Sequence, residues 1–197
     1  MIGQEFQVNT HTVFSQRWPV VDMDAQGNFV VVWFSQKSDP PDDPGYHAIQ
    51  AQRYASDGSP IGGEFKVNTT TQALEDFPQV SVEEDGSFMV VWQTSKTPGD
   101  DVDTWGAIAA QQFDTDGNRV GSEFAVNTYT PLIQDQPRIA GDGMGRFVVV
   151  WSDSGYPGTS LAEQDGSLNG VFGQRFENPI FADGFESGDT TAWSSTQ

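Results

Sequence analysis

Nine Lys and Arg set against 28 Asp and Glu in 197 residues give a formal net charge of −19. That field repels a phosphate backbone and an anionic bilayer, so nucleic acid is excluded as an expected partner. The chain has no cysteine, which removes disulfides, thiolate catalysis and Cys-ligated zinc.

No apolar run reaches the roughly 18 residues of a membrane span, so membrane insertion is not expected. The N-terminus has no basic stretch followed by an apolar one. Met1 leads directly into repeat material, which is read as a cytoplasmic protein or, in preference, a piece of a longer secreted chain. The acidity fits solubility in a salty or extracellular medium, or the binding of cations.

Taken in order, the first element is Glu5-Phe6-Gln7-Val8-Asn9-Thr10, which returns as Glu64-Phe65-Lys66-Val67-Asn68-Thr69 and Glu123-Phe124-Ala125-Val126-Asn127-Thr128. Phe and Val at alternate positions put two apolar side chains on one face, so each copy is predicted to be a short strand. A second strand opens at Pro19, Pro78 and Pro137, where the missing N–H need not serve a ladder. An Asp/Gly turn follows, such as Asp24-Ala25-Gln26-Gly27, with hairpin chemistry.

The third element is the most regular: Phe29-Val30-Val31-Val32-Trp33, Phe88-Met89-Val90-Val91-Trp92 and Phe147-Val148-Val149-Val150-Trp151, with the tryptophans 59 residues apart both times. An unbroken apolar run predicts a strand buried on both faces, as in a sheet held between two others. A long variable loop comes next, and then Gln50-Ala51-Gln52-Arg53-Tyr54, matched by Ala109-Ala110-Gln111-Gln112-Phe113 and Phe172-Gly173-Gln174-Arg175-Phe176. The third copy is displaced by four residues, placing an insertion in its loop. Arg53 and Arg175 are expected to bond to carbonyls or a carboxylate of a neighbouring sheet.

A fixed period of this size marks a propeller, solenoid or array. The expected fold is therefore all-β and β-propeller-like, with three four-stranded antiparallel blades over residues 1–177 and a C-terminal tail over 178–197. Counted from the proline strand, the third blade owns three strands, and the N-terminal strand is the one left over to complete it. This predicts six blades in a homodimer with exchanged N-terminal strands.

The repeated wording resembles repeats of large secreted bacterial surface proteins, akin to FG-GAP and other propeller-type repeats, over roughly residues 2–177. Asp183-Gly184-Phe185-Glu186-Ser187-Gly188-Asp189 resembles a short segment that ends many exported bacterial proteins. The resemblance implies a secreted or cell-surface location and a propeller-type fold; propellers host unrelated functions, so it implies no activity. The calcium loop of FG-GAP repeats needs a denser run of Asp and Asn than most turns here have.

Candidate sites come from residue type and placement. Asp114, Asp116 and Asn118, around Gly117, read either as half a calcium loop or as an Asx-stabilised hairpin turn. Trp18, Tyr46, Trp105 and Tyr156 fall on the face of the long acidic loops, where an aromatic plate beside polar groups holds a sugar. Trp33, Trp92 and Trp151 are expected to pack between blades, and His11 and His47 read as unrelated surface residues or a metal pair. Hydrolase motifs are absent. The expectation is a non-catalytic binding or adhesion module whose partner is a glycan or a surface protein, with a multivalent lectin as the alternative and a glycan-acting enzyme behind it.

Overall fold

The computed structural model describes residues 3–36, 47–71, 73–98, 103–129, 133–154 and 169–177. Within them the chain is all-β, with eleven antiparallel strands and no helix. The first sheet holds β1 (Gln16–Met23), β2 (Phe29–Gln36), β3 (His47–Tyr54) and β4 (Pro60–Lys66) in chain order. The second repeats this with β5 (Glu75–Val82), β6 (Phe88–Lys96), β7 (Asp103–Phe113) and β8 (Arg119–Ala125). The third has β9 (Ile133–Gly141), β10 (Phe147–Ser154) and β11 (Asn169–Phe176).

The turns follow from the sequence. Asp24 Oδ1 accepts from the backbone N–H of Gln26 and Asn28 at 2.9 and 2.8 Å, while Gly27 takes φ 84°, a conformation that a Cβ opposes. The register carries the repeat into space: Trp33 pairs with Gln50, Trp92 with Ala109 and Trp151 with Phe172.

The sheets stack in series, β1 touching β5 and β5 touching β9. Because side chains alternate along a strand, β6 sends Val90 and Trp92 into a core with Val30, Val32 and Ile49 of the first sheet. Its Met89 and Val91 enter a second core with Phe147, Val149 and Trp151 of the third. The middle run is thus buried on both faces, as its unbroken hydrophobicity predicted, and all three repeat tryptophans are buried. Each such side chain contributes about 1.5–3 kcal/mol of transfer free energy.

Within one chain the series is open: no core joins the third sheet to the first among the described residues. One expectation needs correction. Residues 3–10 are neither a strand nor part of the third sheet. They lie on the outer face of the first sheet, Val8 packing against the cluster of Val31, Trp33 and Tyr54. The physical reason is that no strand among the described residues lies beside them to form a ladder. The separate tail expected over 178–197 falls outside the described residues.

Candidate functional site

The end of the stack that carries the long loops has one irregularity repeated three times. Register shifts between Arg17 and Val20 on β1 and between Asp76 and Gln79 on β5. On β9 two residues, Gln136 and Pro137, stand where β10 has only Trp151 between its paired positions. These are β-bulges, and proline causes them: Pro19, Pro78 and Pro137 have no N–H for the ladder. The residue before each proline takes a left-handed backbone, with φ 52° at Trp18, 52° at Phe77 and 51° at Gln136. For non-glycine residues this stores about 1–2 kcal/mol apiece, strain of a kind concentrated at functional sites.

The first two bulges bring aromatic rings together across the sheets. Trp18 stacks on Phe77 with centroids 4.5 Å apart and planes at 25°, and meets Phe34 edge-on at 5.1 Å. Phe34 in turn meets the His47 ring at 4.5 Å. His47 Nδ1 lies 3.0 Å from Asp76 Oδ1, which joins the loop ends of the first two sheets. Trp18 keeps 40% of its surface exposed, and Phe34 lies between it and the His47 ring.

Beneath the row is a layer that sequence reading did not single out. Gln16, Glu75 and Gln134 occupy the same position in the three repeats. Gln16 Oε1 accepts from Trp33 Nε1 at 3.2 Å, and Glu75 Oε2 accepts from Trp92 Nε1 at 2.7 Å. Gln134 Oε1 accepts instead from Asn127 Nδ2 at 3.2 Å, and Trp151 Nε1 finds no partner among the described residues. Glu75 is fully buried. Burial, and then the negative charge of Glu123, pushes its carboxyl well above the usual range, which favours the protonated form.

In the third sheet, burial and then the Asp153 charge raise the Asp135 carboxyl, against a hydrogen bond from Ser154 Oγ. Both aspartates keep a buried oxygen without a hydrogen-bond partner.

Of the predicted aromatic plate, Trp18 is the member the structure places in a row with others. Tyr46, Tyr156 and the Trp105 side chain lie outside the described residues, although the Trp105 backbone belongs to β7. Phe77 and Gln136 were missed; the signal for them is the residue before each in-step proline. His11 is partly buried and not joined to His47 by any contact described.

The predicted cation turn lies at the opposite end. Asp114 Oδ1 accepts from Asp116 N–H at 2.9 Å and Asn118 N–H at 2.8 Å, and Oδ2 from Asn118 Nδ2 at 3.1 Å. The Asn118 bonds hold its carboxyl below the usual range. Arg53 donates to the carbonyls of Asp116 and Thr115, the latter at 2.6 Å, as expected for a bond to a neighbouring sheet. Both Asp114 carboxylate oxygens are engaged by the turn's own N–H groups and by Asn118. Among the described residues no group of three or more His, Asp or Glu gathers for a metal. Arg53 also lines a groove of about 90 Å³ with Asp24, Asn28, Tyr54 and Asp85, small beside the roughly 300 Å³ at which ligand pockets begin.

No family model and no curated protein sequence matches the chain. Among solved structures it is similar to the endo-arabinase from Bacteroides thetaiotaomicron VPI-5482, with a TM-score of 0.47 and 17% identity, over 86% of this chain and 59% of that one.

Proposed function

We propose that the chain is a non-catalytic binding module of propeller type, belonging to a secreted or surface-exposed protein, that takes its ligand at the bulged end. The observation that carries this reading is the strained position repeated on β1, β5 and β9, whose first two copies stack a partly exposed Trp18 on Phe77 at the end that carries the His47–Asp76 pair. An exposed aromatic face with adjacent donors and acceptors suits the apolar face and hydroxyls of a sugar, so a glycan is the ligand class we favour over a surface protein. A catalytic reading wants two carboxylates facing a cleft. Asp135 and Asp153 instead keep buried oxygens inside the third sheet.

The test is a glycan array followed by titration calorimetry on the best hit, with wild type and Trp18→Ala. Binding that falls at least tenfold in the variant, about 1.4 kcal/mol, with an unchanged circular dichroism spectrum and no cleavage of the glycan, supports the proposal. An array without hits, or a hit indifferent to Trp18, overturns the sugar site.

A further inference from the structure

The two ends of the stack are unlike, and each has what the other lacks. On the outer face of the third sheet Val148 is 43% exposed, whereas its equivalents Val30 and Met89 are 4% and 1%. Val171 on β11 is 80% exposed, against 0% for both Ile49 and Ile108. On the outer face of the first sheet Val21 is 56% exposed where Val80 is 6%.

Residues 5–10 lie on that first face and are anchored as their later copies are. Phe6 is 5.4 Å from the Tyr54 ring, as Phe65 is 5.5 Å from Phe113 and Phe124 is 5.8 Å from Phe176. Thr10 N–H donates to Glu64 at 2.6 Å, as Thr69 N–H does to Glu123 at 2.5 Å.

In the later copies the same segment also finishes the preceding sheet. Val67 N–H donates to the Ile49 carbonyl at 2.8 Å, and Asn68 Oδ1 accepts the Ile49 N–H at 2.9 Å. Val126 and Asn127 do the same at Ile108, both at 2.7 Å. At Val8 and Asn9 the segment is in place and the preceding sheet is missing. At Val171, the third equivalent of Ile49, the sheet is in place and no last strand is found among the described residues.

We infer that a second copy of this chain completes both ends. Residues 5–9 of one copy add to β11 of the other. Val8 N–H donates to the Val171 carbonyl of the second copy, and Asn9 Oδ1 accepts that residue's N–H. The outer faces of the first and third sheets then meet through the same kind of contact that already joins the sheets within the chain. The interface is head to tail, so it makes a ring if the rotation closes. Two copies give six four-stranded sheets, inside the range of four to eight at which such rings close.

Sedimentation equilibrium of the full chain tests this at about 100 µM, a hundredfold above a micromolar dissociation constant. The expected mass is twice 21.5 kDa. Val171→Asp, at a position exposed in the single copy, is expected to give a folded monomer by circular dichroism. Asn9→Ala, on the opposite partner surface, is expected to weaken the dimer at least tenfold. A monomeric wild type overturns the inference, including one whose Val171 amide exchanges slowly, since another part of the chain would then cover that edge. A dimer untouched by either variant also overturns it.

Discussion

Glu75→Gln separates two readings of the buried layer under the bulges. In wild type a fully buried carboxyl accepts from Trp92 Nε1 at 2.7 Å, while its Oε1 has no partner of its own. Burial first, and the Glu123 charge second, raise its pKa well above the ordinary 4.5. The sign is then fixed. Above 4.5 the unfolded carboxyl has released its proton and the folded one has not, so stability falls with rising pH until the folded pKa is reached.

Each pH unit inside that window removes about 1.4 kcal/mol from wild type and nothing at this position from the variant. As pH rises above the ordinary carboxyl value, the melting temperatures should therefore diverge by about 3–6 °C per pH unit, in favour of the variant, until the folded pKa is reached. Gln16 and Gln134 at the equivalent positions indicate that an amide fits. Calorimetric melts of both proteins at half-unit pH steps provide the assay, and the difference between the two curves cancels the other carboxylates. Parallel curves would refute the argument, because they would mean that Glu75 is not held as the acid.

Gly58→Ala and Gly117→Ala share a left-handed backbone, φ 85° and 84°, but the added methyl meets nothing at Gly58 and lies 2.6 Å from the Arg53 guanidinium at Gly117. Both should lose about 1–2 kcal/mol from the backbone alone. Gly117→Ala should lose about 1 kcal/mol more in urea unfolding, an excess that vanishes in an Arg53→Ala background; equal losses would contradict the bridge. Gln136 is exposed at φ 51°, so Gln136→Gly should relieve strain and gain about 0.5 kcal/mol, and a loss would mean its side chain is needed. Trp92→Ala should cost about 3–5 kcal/mol in the same assay, because Trp92 is fully enclosed between two sheets; a loss under 1 kcal/mol would refute that packing.

Much of the fold was legible because the repeat states each element three times. The Phe-Val-Val-Val-Trp run marked the central strand, and for β6 its lack of alternation marked burial on both faces. The same run in β10 misleads, since Val148 and Val150 face outward; sequence describes the face a residue suits, not whether a neighbour is present to cover it. Residues 5–9 fail as a strand for the same reason.

Of the candidate site, Trp18 was visible as an unusual residue near the loops. The bulge that aims it was not, because a proline at a strand start reads as a tolerated beginning rather than as an interruption inside a ladder. Asp114 and its neighbours read either as half a cation loop or as an Asx-stabilised turn; which carbonyls Arg53 reaches, those of Thr115 and Asp116, required the packed sheets.

The proposed head-to-tail dimer requires that one end of this stack finish the other. The register of Phe65 with Ala51 and of Phe124 with Ala110 maps onto Phe6 and Gly173. Antiparallel partners sit about 5 Å apart at Cα, within reach of a disulfide, and the chain has no cysteine to compete. Oxidation of the double variant Phe6→Cys, Gly173→Cys should yield a covalent dimer on a non-reducing gel. Oxidised material that stays free of cross-links, or that closes within a single chain, would contradict the account.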